Sequence, residues 1–228
     1  MDLFRVEKNS DFGRFAVAIT NIEAGQLLFE EYPFAYGPKC NTKCICLECY
    51  TFINGDCTGG RCKVCTWPLC ENCAKLTELK CHSAECKLFK SNKCKFYNTL
   101  DPLSVCIQLD CITPLRVLLA KEEKPDKWNN EIDQMEDHSQ DRQSTASWAA
   151  DTHNIVEYLL GPCQLKSRGI DGELIHKVIG ILEINAFEAK TSNGHEIRCL
   201  FPKLAICSHS CTSNTTHAIH PSEGYKYK

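Results

Sequence analysis

The first 34 residues alternate short apolar runs with turn-forming residues. The apolar runs lie within residues 3–8, 14–19 and 26–31, and the segments Asp11-Phe12-Gly13 and Glu23-Ala24-Gly25 separate them. Runs of this length, bounded by Gly and Asp, are typical of strands joined by tight turns. The pattern therefore predicts three short strands at the start of the chain.

From Pro102 to Lys121 the apolar positions follow a helical period instead. Thr113-Pro114 lies inside this pattern. Because a proline within a helix removes a hydrogen bond, we expect Thr113-Pro114 to separate two helices or to kink one. Residues 121–151 are polar and acidic, which favours an exposed linker or the solvated start of a helix.

Two further helices are predicted in the second half of the chain. Residues 154–160 have a helical pattern that stops at Gly161-Pro162, and the apolar positions of residues 171–182 form one broad face. Asp171 stands before this face and is a favourable N-cap residue. The sequence therefore predicts a helix that begins after Asp171 and ends near Leu182.

The cysteines are concentrated in one block. None of the 18 cysteines lies in residues 1–39, whereas twelve lie in residues 40–94 and six in residues 95–228. An acidic residue follows Met1 and no apolar signal segment comes after it, so we expect reduced thiols and disfavour an extracellular disulfide protein. No apolar run approaches the roughly 20 residues that cross a bilayer, so no membrane association is expected.

Four pairs of potential metal ligands occur inside this block: Cys46-x2-Cys49, Cys62-x2-Cys65, Cys70-x2-Cys73 and His82-x3-Cys86. A C-x2-C turn can aim two thiolates at one ion, and H-x3-C places two ligands one helical turn apart. Eight ligands suffice for two tetrahedral zinc ions, and the block has few apolar residues with which to fold without metal. The remaining cysteines of the block are expected to be plain thiols: Cys40, Cys44, Cys57, Cys81 and Cys94.

The order of these pairs resembles the MYND zinc finger, in which the pairs interleave. The resemblance implies two ligand sets: Cys46, Cys49, Cys70 and Cys73 for one zinc, and Cys62, Cys65, His82 and Cys86 for the other. The family usually has C-x3-C as its third pair, so Cys73 departs from the pattern and Cys81 is the alternative ligand. A RING finger of ubiquitin ligases is the rival interpretation, but residues 62–73 lack the histidine that it needs.

Three further segments resemble the SET fold of protein-lysine methyltransferases. They are Gly13-Arg14-Phe15 with the later Ala24-Gly25 turn, Gly180-Ile181-Leu182-Glu183-Ile184-Asn185-Ala186-Phe187, and Ser208-His209-Ser210-Cys211-Thr212-Ser213-Asn214. They are similar to the G-R-G turn, the G-x4-N-A/S-F segment and the N-H-S-C-x-P-N motif of SET–MYND proteins. The context Trp67-Pro68-Leu69-Cys70 is similar to the divergent arthropod branch of that family.

The resemblance implies an α+β protein, with a split SET β-fold, an inserted two-zinc MYND finger and a helical insert. Four parts are implied: residues 1–39 as the N-terminal part of the SET domain, 40–95 as the finger with its core at 46–86, 96–180 as the helical insert, and 181–228 as the incomplete C-terminal part of the SET core.

The same resemblance implies S-adenosylmethionine as a cofactor. It assigns the cofactor contacts to Gly13, Arg14, Asn185, Ser208, His209 and Asn214. Three departures from the family pattern weaken the expected binding: Phe15 replaces a glycine, Ser208 an asparagine and Ser213 a proline.

Lysine methylation is the implied activity, but no catalytic residue is assigned. The family's catalytic tyrosine follows the H-S-C motif by some tens of residues in a G-E-x-I/L-x3-Y context, whereas Tyr225 and Tyr227 come too early and lack that context. We therefore interpret the chain as a C-terminally truncated member and expect it not to methylate lysine by itself. A non-catalytic zinc-dependent adaptor or transcriptional co-repressor is the alternative.

The expected partners are proteins. They are a substrate with a lysine, such as a histone, and proline-rich proteins bound by the finger, with Trp67 as an aromatic face. Strong DNA binding is not expected, because the formal net charge of the chain is -3. Residues 40–100 have nine Lys or Arg against five Asp or Glu. The thiolates that bind zinc reduce this local excess of positive charge. The resemblance implies a nuclear and cytoplasmic location.

Overall fold

The computed structural model describes residues 3–10, 13–53, 60–97 and 104–228. Its strands are β1 Phe4–Asn9, β2 Gly13–Ala18, β3 Ala35–Pro38, β4 Ala186–Lys190, β5 Glu196–Leu200, β6 Ile219–His220 and β7 Lys226–Tyr227. Its α-helices are α1 Ser83–Ser91, α2 Ile112–Glu123, α3 Pro125–Lys127, α4 Ser139–Arg142, α5 Ala146–Asp151, α6 Glu157–Leu160, α7 Gly172–Asn185 and α8 Pro202–Ala205. The mixture of helix and sheet agrees with the predicted α+β class.

Short 3₁₀ and π segments connect these elements. The 3₁₀ turns are Cys73–Lys75, Ile107–Leu109, Leu165–Arg168 and Pro221–Glu223, and the π turns are Trp128–Ile132 and Thr152–Val156.

The strands form antiparallel pairs. β1 pairs with β2, and β6 pairs with β7. In the three-stranded sheet β5 lies between β3 and β4, so that Cys199 stands opposite both Tyr36 and Phe187. Residues 197–200 of β5 are buried. β5 is therefore held by a paired strand on each side.

The prediction of a third strand at residues 26–31 is wrong. Within this segment only Glu31 makes a strand-like bridge, to Tyr227, and the Leu27 side chain is 55% exposed. An apolar run becomes a strand only where a partner strand pairs with it, and none pairs with residues 26–30 among those that the structure describes. The first two predicted strands correspond to β1 and β2, whereas Asp11 and Phe12 of the turn between them lie outside the described residues.

Helix α2 is buried along most of its length and passes close to β3. Pro114 occupies its first turn, where the missing N–H is not needed, so Thr113-Pro114 neither separates two helices nor kinks one, contrary to expectation. The Thr113 hydroxyl donates to the Pro38 carbonyl at 2.8 Å. Pro102 and Leu103, at the start of the predicted helical stretch, lie outside the described residues.

Residues 121–151 do not form an exposed linker. They form three short helices and a π turn, and Trp128, Ile132 and Arg142 are buried. The acidic residues stay mainly on the surface while these side chains pack inward. The average polarity of the segment therefore wrongly predicted an exposed linker. No helix of the described part of the chain is long and apolar enough to cross a membrane.

The two later helices agree with the prediction. The helical turns of residues 152–160 end at Gly161. Helix α7 begins after Asp171, whose Oδ1 accepts a hydrogen bond from the Leu174 N–H at 2.8 Å, as an N-cap does. The helix continues to Asn185, three residues beyond the predicted end, and so carries the asparagine of the G-x4-N segment at its last position.

Candidate metal centres and cofactor site

The first candidate metal centre is formed by Cys46, Cys49, Cys70 and Cys73. Their sulfur atoms all lie within 4.8 Å of one another, and the Cys49 and Cys70 Sγ atoms are 3.7 Å apart. Zn–S bonds of about 2.3 Å place two sulfur atoms of a tetrahedral site about 3.8 Å apart. The four thiols therefore fit a zinc ion, with Cys73 rather than Cys81 as the fourth ligand.

The second candidate metal centre is formed by Cys62, Cys65, His82 and Cys86. All four residues are buried, and their ligand atoms also lie within 4.8 Å of one another. The Cys62 and Cys86 Sγ atoms are 3.5 Å apart, and the Cys65 Sγ is 3.1 Å from the His82 Nε2. Donors of this type at these separations suit a closed structural zinc site. The structure thus gathers both interleaved sets, and their occupancy by zinc stays a prediction.

Each of the four ligand pairs is shaped by the same backbone turn. In every pair, the N–H four residues after the first ligand donates to the carbonyl of that ligand, at 2.9 to 3.1 Å. Tyr50 and Thr66, which follow the two first C-x2-C turns, have φ values of 61° and 69°. Positive φ is unfavourable for these residue types, so the surrounding contacts hold the turns in place.

The first two pairs include thiols that ionise readily. The hydrogen bond from Cys46 lowers the pKa of Cys49 to about 4. Burial opposes ionisation of Cys62, but hydrogen bonds from His82 and from backbone amides bring its pKa down to about 6. Burial likewise opposes the charged form of His82, and the surrounding thiols and Glu85 nevertheless raise its pKa. A thiolate is the ligand form, so the lowered pKa values of Cys49 and Cys62 favour metal binding, whereas their pair partners Cys46 and Cys65 have raised pKa values.

One of the expected plain thiols is not a thiol. Cys44 is disulfide-bonded, whereas Cys40, Cys81 and Cys94 are free and Cys57 lies outside the described residues. The prediction is therefore wrong for Cys44, because a spacing that excludes a cysteine from the ligand pairs does not exclude it from a disulfide.

Trp67 does not offer an aromatic face to a peptide. It is fully buried and stacks on Phe89 with ring centroids 4.0 Å apart, and its Nε1–H donates to the Cys94 carbonyl at 3.1 Å. The expectation for Trp67 is wrong because the cysteine block shares a core with the rest of the chain, to which Leu47, Leu69 and Phe89 also contribute.

The six candidate cofactor residues lie on three segments. Gly13 begins β2 with a φ of 63° and has open space where a Cβ would point. The Arg14 Nη1 donates to the Glu131 carbonyl at 2.9 Å, and the Asn185 Nδ2 donates to the Glu136 carbonyl at 2.9 Å. Two of the three segments therefore contact neighbouring parts of residues 131–136.

The third segment, residues 208–214, is exposed. The Ala16 N–H donates to the Ile206 carbonyl at 2.8 Å, so this segment starts next to β2. Ser208, His209 and Asn214 follow this contact along the chain and are open to solvent. Whether they bind a cofactor stays a prediction.

Sequence reasoning missed three polar residues that contact the metal centres. The Glu48 carboxylate accepts hydrogen bonds from three consecutive backbone amides ending at His82, and Glu85 contacts the His82 ring. Arg116 contacts Glu85. The available signals were a glutamate three residues after a ligand histidine and an arginine inside an apolar helix.

The chain is similar to curated SET domain-containing proteins. No family model matches the chain. It is 30% identical over 217 residues to the SET domain-containing protein SmydA-8, isoform A, of Drosophila melanogaster, which is 90% of this chain and 42% of that protein. Isoform B of SmydA-8 is 27% identical over 239 residues, covering 96% of this chain and 47% of that protein.

The chain spans less than half the length of these curated relatives. The match nevertheless extends over nearly the whole chain, and the two ligand clusters are compatible with MYND zinc fingers. The curated homologues of the chain are therefore SET domain-containing SMYD proteins.

Proposed function

We propose that the chain is the zinc-binding and cofactor-binding part of an S-adenosylmethionine-dependent protein-lysine methyltransferase of the SET–MYND type. The observation that carries the proposal is 30% identity to a SET domain-containing protein over 90% of the chain. Because less than half of that relative is covered, the activity of the whole protein is part of the proposal.

The proposed architecture is a SET fold split by two insertions. Strand β3, which precedes the cysteine block, pairs with β5, which follows the helices, over Ala35–Pro38 and Ile197–Leu200. Pairing across more than 150 residues supports one β-core interrupted by residues 40–95, as the MYND finger, and 96–180, as the helical insert. Residues 1–39 and 181–228 are then the two parts of the SET core.

The proposed cofactor site would be formed by β2, the end of α7 and residues 208–214. The first two segments contact residues 131–136, and the third follows a contact between Ile206 and β2. The open space at Gly13 leaves room for a ligand beside the backbone. The Asn185 amide nitrogen donates hydrogen bonds to the Ile181 and Glu136 carbonyls. The amide oxygen of Asn185 is therefore the atom that would contact a ligand. Ser208, His209 and Asn214 are exposed and would close the site from the other side.

The proposed reaction moves a methyl group from the cofactor sulfonium to the amine of a protein lysine. The amine has an ordinary pKa of about 10.4 and must lose its proton before it attacks. Alignment of amine and methyl group supplies much of the acceleration. The family resemblance assigns no residue of 1–228 to the tyrosine that aligns the amine, so we propose that this chain alone does not transfer methyl groups.

Two measurements test the proposal. The first is equilibrium binding of S-adenosylmethionine to the 228-residue chain and to its Asn214→Ala variant, with Thr212→Ala as the matched control in the same exposed segment. Binding that only Asn214→Ala weakens supports the site, and absence of binding to a chain extended to the length of its relatives would contradict it.

The second measurement is radiolabelled methyl transfer to mixed histones and cell extract by the chain and by the extended version. Transfer by the extended protein alone is expected. Transfer by the 228-residue chain at a similar rate would show that the catalytic group lies within it, and transfer by neither would favour an adaptor.

A zinc-dependent adaptor or transcriptional co-repressor is the second candidate. It is favoured by two complete ligand clusters in a chain whose cofactor motifs carry the Phe15, Ser208 and Ser213 replacements. In both proposals the partners are proteins: lysine-bearing substrates such as histones, which would give a role in chromatin regulation, and proline-rich segments bound by the finger. Neither strong DNA binding nor membrane binding is proposed, and the location is nuclear and cytoplasmic.

A further inference from the structure

We infer that Glu85 and Arg116 are positioning residues for the second metal centre, and that Arg116 couples both metal centres to helix α2. This inference depends on zinc binding and not on methyltransferase activity. It concerns residues outside both ligand sets.

Glu85 holds the ring of His82 from the side opposite the ligands. The His82 Nε2 faces Cys65 at 3.1 Å, while the Nδ1 lies 2.9 Å from the Glu85 Oε1. The side chains of His82 and Glu85 are both fully buried. A histidine binds metal through an unprotonated nitrogen, so a carboxylate at Nδ1 keeps the proton there and leaves Nε2 for the ion.

Arg116 in α2 makes a short ion pair with the same Glu85 oxygen. Two of its other contacts reach the first C-x2-C turn, because Nη2 donates to the Leu47 carbonyl at 3.0 Å and Nη1 donates to the Tyr50 hydroxyl at 2.6 Å. Nη1 also donates to the Tyr36 carbonyl of β3 at 3.2 Å. Leu47 lies between the ligands Cys46 and Cys49, and Tyr50 follows them. The Arg116 guanidinium therefore contacts both Glu85, which holds a ligand of the second centre, and the C-x2-C turn of the first centre.

Charge explains why the arginine is needed. A zinc ion with three thiolates and one neutral imidazole has a net charge of about -1. A buried Glu85 carboxylate next to it adds a second negative charge, which is unfavourable at low dielectric unless a cation compensates it. Arg116 supplies that cation. Its loss would leave Glu85 beside an anionic centre, whereas loss of the Glu85 charge would leave only a weaker orienting contact.

The inference gives an ordered set of effects. Glu85→Gln keeps an acceptor for the histidine and should speed zinc release modestly. Arg116→Met should speed it more, by about 10-fold or greater, within the range found when partners of metal-bound histidines are removed. The double variant should release zinc more slowly than Arg116→Met alone, because the uncompensated carboxylate is gone.

The experiment measures zinc transfer from the intact zinc-loaded 228-residue chain to a chromophoric chelator, well below the unfolding temperature of each variant. Arg142→Met is the matched control. Arg142 is another buried arginine, and it pairs with Asp151 and Glu183 rather than with the metal centres. It should lower the unfolding temperature without speeding zinc release relative to the wild type.

A site-specific readout separates positioning from general destabilisation. In cobalt-substituted protein, Glu85→Gln and Arg116→Met should change the absorption of the Cys3His centre, while Arg142→Met should not. If Arg116→Met does not fold, Arg116→Lys replaces it in the comparison with Glu85→Gln. Lysine keeps the positive charge but lacks the paired N–H donors of the guanidinium. Equal zinc release by the Arg116 and Arg142 variants, or an unchanged cobalt spectrum in Glu85→Gln, would overturn the inference.

Discussion

The Glu48 carboxylate accepts a hydrogen bond at 3.0 Å from the backbone N–H of His82. Glu48 lies between two ligands of the first metal centre, and His82 is a ligand of the second. The same carboxylate accepts from the N–H groups of Lys80 and Cys81 at 2.9 and 3.0 Å. One surface side chain therefore connects the two centres through the loop that leads into α1.

Replacing Glu48 with Ala should loosen both centres. Three backbone N–H groups would lose a charged acceptor, and hydrogen bonds to charged groups each contribute a net stabilisation of about 1.5–3 kcal/mol. Because the carboxylate is only half-buried, we expect a net loss of about 1–2 kcal/mol and faster zinc release. Denaturant unfolding and chelator competition measure the two effects. Glu71→Ala, an exposed residue between Cys70 and Cys73, is the control, and an equal loss there would contradict the role of Glu48.

The zinc content of the chain should be two ions. Eight ligand atoms form two separate groups, so metal analysis of protein purified without chelator should give about two zinc ions per chain. Cys62→Ser should reduce the content and also weaken retention at the first centre, because Glu48 and Arg116 link the two. Cys207→Ser, at an exposed thiol, should leave the content unchanged. A content of one in the wild-type protein would contradict the paired arrangement.

The core of the cysteine block should be sensitive at Trp67. Trp67→Ala removes a fully buried ring that stacks on Phe89, and truncation of a buried aromatic typically costs about 3–5 kcal/mol. Urea unfolding of the zinc-loaded chain measures this cost. Tyr97→Ala, at a side chain that is 70% exposed, should cost under about 0.5 kcal/mol. Similar effects of the two substitutions would indicate that the ring is not packed as described.

The ligand pairs were predictable because their geometry is local. A C-x2-C or H-x3-C spacing brings two ligands together within one turn, whatever the rest of the chain does. The N-cap of α7 at Asp171 was predictable for the same reason, since it depends on the N–H three residues later. The interleaving of the pairs was available only through resemblance to a family.

The wrong predictions depended on distant neighbours. Residues 26–31 have an apolar pattern suited to a strand, but strand formation needs a partner that lies elsewhere in the chain. Trp67 stands in a polar, turn-rich block, and its burial against Phe89 follows from packing across 22 residues and against the segment that ends at Cys94. The contact between Glu85 and Arg116 requires α1 to pack on α2, which no periodicity reveals.

The stability of the chain should depend on pH through Asp110. Its side chain accepts a hydrogen bond from the Asn41 N–H at 2.9 Å, and burial raises its pKa from 3.8 to about 6 although that bond and Arg198 act in the opposite direction. Between pH 4 and 6, the Asp110 carboxyl therefore keeps its proton in the folded state but has lost it in the unfolded state. Stability from this group is therefore present below about pH 4 and is lost as the pH rises through about 6.

Asp110→Asn removes the charge and keeps an oxygen acceptor for Asn41. The variant should be more stable than the wild type by about 1–2 kcal/mol above pH 6, and the difference should shrink toward pH 4. Denaturant unfolding of both proteins between pH 5 and 8 measures this difference in stability. Both proteins have the same metal centres, so the effects of pH on zinc binding cancel in the difference. Asp126→Asn, at an exposed residue of α3, should show a difference near zero at every pH. A stability gain of the Asp110 variant that stays constant from pH 5 to pH 8 would contradict the raised pKa, since only a group that titrates differently in the folded and unfolded states changes the slope.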